Sequence, residues 1–211
     1  NDSGNRPATS TRIPTYECPS VPGEHVVKTL PSGWTKPPAL SDYWPVNRAS
    51  TVSGVWTQFG MNYPGDDGAR GALTQNRYTN VLAITDGLSN TLMFAESGAR
   101  NEGWSMGKRY DDDLGTAGAW GQESNNITCS GVRGPVTPGV QPAGKLSAGS
   151  QVATAARAVN TWNVSELYSF HPGVCNVVMA DGSVRALSES ISLGALLKLA
   201  ARGDGNPLDP D

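Results

Sequence analysis

The chain has 211 residues, a formal net charge of −3 and 37% apolar residues, with 25 glycines and 15 prolines. This length predicts one domain with a modest core, while the glycines and prolines predict many turns and argue against a helical bundle. Nucleic-acid binding is not expected, because neutralising phosphates requires clustered Lys and Arg. No apolar run reaches the roughly 18–20 residues of a membrane span, and no signal peptide is visible.

The N-terminal part predicts irregular structure with short extended pieces. Residues 1–24 are expected to be loop-like, with one extended piece at 13–18, and residues 25–30 (HVVKTL) to form a strand. Residues 31–45 contain four prolines and are expected to be an irregular surface excursion. Because the chain begins at Asn1 without methionine, we expect a processed or trimmed chain whose export signal or anchor lies upstream.

The next stretch predicts two strands around a tight turn. Residues 51–59 are expected to form a strand carrying Trp56, and residues 61–76 a loop. Val81, Leu82 and Ile84 are expected to be buried. The turn at 85–87 should then lead into a central strand at 91–96 (TLMFAE).

Two polar side chains suit the fastening of that turn. Asp86 and Asn90 flank Gly87 closely enough to form side chain–backbone hydrogen bonds, which Asx residues commonly make in turns. They are therefore expected to be architectural.

Residues 98–158 are polar and glycine-rich, and they predict a long loop-rich insertion. Insertions of this size in compact domains are often functional or partner-facing. One short helix is expected at 151–159.

The stretch with the clearest structural pattern is 169–192. His171, Pro172 and Gly173 predict a rigid turn, followed by a buried strand at 175–180. Asp181 and Gly182 predict a two-residue type I′ hairpin turn, in which both residues have positive φ, and the chain should return as a strand at 184–187.

A helix is expected to follow this hairpin. Ser192 can cap a helix at 193–201 with leucines on one face, ended by Gly203. The whole pattern predicts the α+β class: one domain, 1–211, built on an antiparallel sheet of six or seven strands with long loops and a short C-terminal helix, with no internal repeat or linker.

Nucleophilic catalysis is not expected, and no catalytic residue is assigned. The sequence has two histidines, and His171 and Asp181 stand at opposite ends of one predicted strand, about 30 Å apart when extended. No G-x-S-x-G elbow is present. His171 is therefore expected to be structural.

The cysteines and acidic runs leave alternatives open. Cys18, Cys129 and Cys175 lack the paired spacing of a zinc site, so either three free thiols or one disulfide is expected, with Cys129 and Cys175 the preferred pair. No cofactor is predicted, but Ca²⁺ is an alternative to simple solvated turns at two acidic runs, Asp66–Asp67 and Asp111–Asp112–Asp113.

Tryptophans are numerous beside only three phenylalanines. Core packing is the default expectation for a tryptophan, whereas loop tryptophans can also stack on sugars or partner surfaces. Trp34, Trp44, Trp104 and Trp120 are the candidates for ligand-facing aromatics.

Two segments together carry a family resemblance. ITDGLSNTLMFAES (84–97) and FHPGVCNVVMADGSVRALSESIS (170–192) closely resemble the planctomycete family known as domain of unknown function 1559, also described as the prepilin-type, processing-associated H-x9-D-G domain. His171 and Asp181-Gly182 stand at that spacing. Glu17-Cys18-Pro19-Ser20 resembles the C-P-S element of the family, and residues 201–205 its closing segment. The chain differs at Val174-Cys175, where the family often has Gly-Val.

The resemblance implies a pilin-like or pseudopilin-like exported protein. Family members typically begin with a prepilin leader and a hydrophobic helix, which would make this chain the head domain of a membrane-anchored protein. A location at the cell surface, in the periplasm or outside the cell follows, with other pilin-like subunits or cell-surface polymers as partners. No family activity can be carried over to particular residues, although a broader label groups the family with bacterial solute-binding proteins.

Two functional hypotheses follow. The first is a non-enzymatic structural or adhesive head domain, in which the motif residues are architectural. The second is a carbohydrate- or solute-binding module of the cell envelope that uses its loop tryptophans and acidic loops.

Overall fold

A computed structural model describes residues 3–122, 125–146 and 157–206. In these ranges the chain forms seven strands: β1 (Tyr43–Ala49), β2 (Leu92–Glu96), β3 (Gly103–Ser105), β4 (Lys108–Asp111), β5 (Ile127–Cys129), β6 (Val174–Met179) and β7 (Val184–Ser188). The α-helices are α1 (Arg6–Thr9), α2 (Ser53–Thr57), α3 (Gly65–Gly68) and α4 (Leu193–Ala200). Short 3-10 helices occupy Ser3–Asn5, Pro14–Tyr16, Val81–Ala83 and Leu88–Asn90.

Five strands form the main sheet in the order β5-β1-β2-β6-β7. The pairs β1–β2, β2–β6 and β6–β7 are antiparallel, whereas β1 and β5 are parallel. β3 and β4 form a separate antiparallel hairpin. The fold is therefore α+β, and the prediction of a central strand at 91–96 is confirmed by β2.

The core lies between one face of this sheet, the inner face, and α4. Leu196, Leu197 and Ala200 of α4 are completely buried, together with Val46 and Leu92 of the sheet. The helix begins where predicted, since the Ser192 hydroxyl accepts a hydrogen bond from the Ala195 amide at 3.1 Å. A side-chain oxygen in this position satisfies one of the otherwise unpaired amides of the first turn.

The β6–β7 hairpin is confirmed, but its turn differs from the predicted one. Gly182 has φ of 85°, whereas Asp181 is not among the residues with positive φ, so the turn is not type I′. Met179 instead accepts from the Gly182 amide at 3.0 Å and donates to the Ser183 carbonyl at 2.8 Å, which leaves a three-residue loop. This is the geometry of a tight turn closed by one left-handed glycine.

Two predicted strands are wrong. Residues 25–30 form no strand, because the segment crosses the surface with only Val27 buried. The predicted strand at 51–59 contains helix α2, in which Trp56 donates its ring N–H to the Ser50 carbonyl at 2.8 Å. Helical geometry there buries the adjacent Val55 and Trp56 completely.

Three further expectations need correction. Residues 13–18 include the 3-10 turn Pro14–Tyr16. The irregular stretch 31–45 ends early, because β1 begins at Tyr43. Val81 and Leu82 are 55% and 82% exposed rather than buried, since they lie on a surface 3-10 turn capped by Asn80.

The segment 98–158 is less irregular than predicted. It supplies the β3–β4 hairpin and β5, which joins the main sheet beside β1. Of the helix predicted at 151–159, residues 151–156 lie outside the described part of the chain, and residues 157–159 are not helical. In the described ranges no helix has the length and apolarity needed to cross a membrane.

Candidate functional site

The face of the sheet opposite α4, the outer face, carries a buried carboxylate. Residues alternate between the two faces of a strand, and the buried Ala95 points to the core, so Glu96 points outward, opposite Tyr43 of β1. Glu96 is nevertheless only 1% exposed. Cys18 and His171 cover it, and these two residues arrive from opposite ends of the chain.

These three residues form a compact cluster. The Nε2 atom of His171 lies 3.1 Å from Glu96 Oε1 and 3.4 Å from Cys18 Sγ, and the thiol lies 3.7 Å from the same carboxylate oxygen. Cys18 is buried, whereas the side chain of His171 is 27% exposed. The cluster therefore lies just beneath the surface, and solvent contacts it at the imidazole of His171.

Neighbouring groups hold the cluster in place. Asn176 of β6 donates its amide to Glu96 Oε2 at 2.8 Å and its side-chain amide to Oε1 at 3.2 Å. The Ser20 hydroxyl lies 3.2 Å from His171 Nδ1. Both the carboxylate and the imidazole are thus oriented by a second set of polar contacts.

The cluster differs from a nucleophilic triad. In a triad the acid binds the histidine nitrogen remote from the nucleophile, but here Cys18 and Glu96 share Nε2 while Ser20 faces Nδ1. Burial raises the pKa of the Cys18 thiol, and the charge of Glu96 raises it further. A protonated, buried thiol is a poor nucleophile.

A second buried acid fastens the same N-terminal segment. Asp42 accepts hydrogen bonds from the Cys18 amide at 2.8 Å and the Ala99 amide at 2.9 Å, and it lies 3.4 Å from His25 Nδ1. Burial raises the pKa of Asp42, while the two amides and His25 oppose that shift. Glu17 also lies 3.8 Å from His25.

The predicted motif residues lie at turns. Asp86 accepts from the amides of Asp204 at 2.6 Å and Gly205 at 3.2 Å, which ties its turn to the segment after α4. Gly87 has φ of 98°, and Asn90 donates to the Asp86 carbonyl at 3.2 Å.

The other motif residues flank β6. Gly173, which follows Pro172, has φ of 73° and accepts from the Glu189 amide at 2.9 Å. Asp181 lies at the far end of β6 from His171, and its carboxylate accepts from the Ser183 amide at 2.9 Å.

The acidic runs are occupied by other partners. Asp67 contacts Arg202 at 3.0 Å and Arg70 at 2.8 Å, and Asp66 accepts from the Tyr63 hydroxyl. In the second run Asp111 accepts from the Asp113 amide, Asp112 lies 3.6 Å from Lys28, and Asp113 accepts from the Gly115 amide. Within the described ranges neither run belongs to a group of three or more His, Cys, Asp or Glu side chains that could hold a metal ion.

The four candidate tryptophans have different environments. Trp44 is 4% exposed and lies under Arg100, but it also borders the outer-face groove described below, so its role as a ligand-facing residue stays a prediction. Trp34 lies under Arg6, and Trp104 packs edge-on against Phe170. Trp120 is half-buried and packs against Tyr16.

The preferred disulfide is absent, because all three cysteines are free and buried. Cys129 lies on β5 and Cys175 on β6, with β1 and β2 between them. Neighbouring strands lie roughly 4.8 Å apart, whereas bridged cysteines need Cα atoms within about 7 Å. Burial also raises the pKa of both thiols.

An open groove of about 750 Å³ adjoins the cluster on the outer face. Its floor is formed by Pro45, Phe94 and Val178 of three neighbouring strands, and Val184 of β7 lies at its edge with 71% exposure. Tyr16, Trp120 and the amide side chains of Gln122, Asn125 and Asn176 complete its lining.

The sequence prediction missed Glu96 and the role of Cys18. Glu96 is an acid ending an apolar strand, which is a recognisable anomaly because carboxylates are seldom buried without partners. Its partner His171 is 75 positions away in the printed sequence, so no local spacing could indicate the cluster.

The fold and site together define a class: an α+β domain with a five-stranded sheet, one face covered by a helix and the other bearing a polar cluster and an open groove. The family described as "Protein of unknown function (DUF1559)" matches residues 1–194. The chain belongs to this family. Comparisons with curated proteins and with solved structures found no match.

Proposed function

We propose that this chain is a non-enzymatic, exported head domain of a pilin-like surface assembly, in which it acts as a structural or adhesive subunit. The observation that carries the proposal is the open apolar groove on the outer face, which runs to an exposed edge strand. Single exposed apolar residues are ordinary, but contiguous apolar surface is typical of interfaces.

The occupant that we propose for this face is a second copy of the head domain. β7 lies at the edge of the sheet, so one side of its backbone has no strand partner among the described residues. An unpaired edge is a template for another strand. Because the groove is continuous with this edge, another β-sheet subunit can contact both surfaces at once.

The placement of the motif residues supports a non-enzymatic role. Gly87 and Gly182 adopt positive φ in turns, and Asp86 and Asp181 accept backbone amides. Each of these contacts fixes the path of the chain. The His171 cluster likewise lacks the geometry of a nucleophilic triad.

The test is association in solution. Val184→Lys and Val178→Lys place charges on the outer face, and we expect each to weaken self-association at least tenfold, as measured by sedimentation velocity over a range of concentrations. Val140→Lys is the matched control, because Val140 is also exposed, at 53%, but does not line the groove. A wild-type chain that stays monomeric at high concentration, or an equal effect of Val140→Lys, contradicts the proposal.

A carbohydrate-binding module is the second candidate, and the lining of the same groove favours it. Tyr16 and Trp120 lie beside the side-chain amides of Gln122, Asn125 and Asn176. Aromatic faces combined with amides suit sugar rings and their hydroxyls. Tryptophan fluorescence titration with polysaccharides discriminates the two candidates, since saturable quenching lost in Trp120→Ala would indicate sugar binding.

An exported location and membrane attachment remain part of the proposal and have their own test. The sequence encoded upstream of Asn1 is expected to contain a charged leader, a cleavage site and about 20 apolar residues. A plain secretory signal there would favour the binding module instead.

A further inference from the structure

The triangle formed by Cys18, Glu96 and His171 has the dimensions of a metal site. Its edges are 3.1 Å from nitrogen to oxygen, 3.4 Å from nitrogen to sulfur and 3.7 Å from sulfur to oxygen. A tetrahedral ion with bonds of about 2.3 Å to sulfur and about 2.0–2.1 Å to nitrogen and oxygen separates its ligands by roughly 3.3–3.6 Å. An ion therefore fits among these atoms with only small side-chain adjustments.

We propose that Cys18, Glu96 and His171 bind one divalent ion of the zinc class. The donor set is one sulfur, one nitrogen and one oxygen, and all three atoms lie within 4.8 Å of one another. Thiolate and imidazole are ligands that Zn²⁺ prefers, whereas Mg²⁺ and Ca²⁺ prefer sites made only of oxygen. The site goes beyond the proposed assembly function and does not depend on it.

The surrounding contacts are those that tune metal ligands. Ligating histidines donate their second ring N–H to an acceptor, and ligating carboxylates are themselves hydrogen-bonded. Here Ser20 Oγ is positioned to accept from His171 Nδ1, which leaves the Nε2 lone pair for the ion. Asn176 meanwhile holds both oxygens of Glu96.

Charge balance also favours an ion. One carboxylate and one thiolate would bring two negative charges into a buried site, and a divalent cation neutralises both. Binding replaces the thiol proton: the S–H bond of Cys18 breaks, an S–metal bond forms, and one H⁺ passes to solvent. The affinity for the ion must therefore rise with pH until protons no longer compete with the ion for the sulfur of Cys18.

The site leaves one coordination position for solvent. No fourth His, Cys, Asp or Glu joins the group in the described ranges, and His171 is partly exposed. Water is the expected fourth ligand. The ion would join the N-terminal segment at Cys18 to β2 and to the turn before β6, so binding should also stabilise the fold.

Titration of the reduced, metal-free chain with Co²⁺ and then Zn²⁺ tests the site. We expect one equivalent of Co²⁺ to give the near-ultraviolet charge-transfer absorption of a cobalt–thiolate bond, which Zn²⁺ then abolishes. One proton per ion should appear in weakly buffered solution, and the melting temperature should rise with free Zn²⁺.

Matched variants locate the ion. Cys18→Ser and His171→Ala should each weaken binding by about 100-fold or more, as expected when a direct ligand is lost rather than a supporting contact. Cys129→Ser and His25→Ala are controls, since Cys129 is another buried thiol and His25 is the second histidine, beside Asp42. Both should bind as the wild type does.

Three results would overturn the site. These are Co²⁺ binding without thiolate absorption, equal affinity in Cys18→Ser, and loss of binding in His25→Ala alone. The wild-type spectrum decides even if His171→Ala fails to fold. Val184→Lys should bind metal normally, so failure of the assembly proposal and failure of the metal site can be told apart.

Discussion

At the scale of single residues, buried carboxylates determine how the loops are attached. Asp42, Glu96 and Glu166 are each no more than 3% exposed, and each accepts hydrogen bonds from segments distant in sequence. A buried carboxylate is tolerable only when such donors compensate the lost hydration. The sequence shows which acids exist, but their partners depend on tertiary structure.

Glu166 makes one of these attachments sensitive to pH. Its carboxylate accepts from the Ser130 hydroxyl at 2.7 Å and lies 3.9 Å from Lys145. Burial raises the pKa of Glu166, and Lys145 and Ser130 only partly oppose the shift. The folded state thus binds the proton more tightly than the unfolded state does.

We therefore predict that Glu166 lowers stability as pH rises. Its contribution is fully present below the usual carboxyl pKa and is lost as pH rises through the raised pKa of the folded state. In urea denaturation between about pH 4 and 8, the wild type should lose stability relative to Glu166→Gln, by about 1.4 kcal/mol for each unit of pKa shift.

Asp181→Asn provides the comparison of opposite sign. Hydrogen bonds from Ser183 lower the pKa of Asp181, so its contribution is present above the usual pKa and is lost as pH falls through the lowered pKa. If the wild type instead gained stability relative to Glu166→Gln as pH rises, that result would contradict a raised pKa for Glu166.

At the scale of elements, the structures that the sequence predicts are those encoded by neighbouring residues. The hairpin β6–β7 and helix α4 follow from alternation, a glycine turn and a serine cap, all within 32 consecutive residues, 169–200. The segment of helix α2 predicts a strand instead, because five residues with only Val55 and Trp56 as large apolar side chains have no clear periodicity. Residues 25–30 have strand-like composition but pair with no strand among the described residues.

The turn of the hairpin gives a prediction at this scale. Gly182→Val should destabilise the fold by about 1–2 kcal/mol, because a side chain disfavours the left-handed conformation that Gly182 adopts with φ of 85°. The free energy of unfolding is measured by chemical denaturation. Metal binding should be unchanged in this variant. No atom lies within 4 Å of a Cβ added there, so the cost is conformational rather than steric.

Asp181→Ala should also destabilise the fold, because Ser183 loses its acceptor. Val140→Ala, at an exposed loop position, is the control for a surface substitution. If either turn variant kept its melting temperature but lost self-association, the residue would act in the interface rather than in the turn.

At the scale of the whole molecule, the N-terminal segment is an attachment to the sheet rather than part of it. Before β1, residues 11–30 contribute no strand, yet Cys18 and Val27 are buried. The α+β class and the central strand could be predicted from pattern. The cluster could not, because its members are 78 and 153 positions apart along the chain.

This arrangement predicts that the segment can detach without global unfolding. Asp42→Ala leaves the amides of Cys18 and Ala99 without their acceptor, which should lower the free energy of local opening by about 2–3 kcal/mol. Hydrogen exchange should then accelerate at residues 16–27 while amides of β6 and β2 stay protected, as expected for a separate unit of stability. Asp66→Asn, at an exposed aspartate, should leave exchange unchanged.

Uniform acceleration throughout the sheet in Asp42→Ala would instead make the segment part of one cooperative core. If detachment is local, saturating Zn²⁺ should slow exchange at Cys18 in the wild type, because the ion would join that segment to β2.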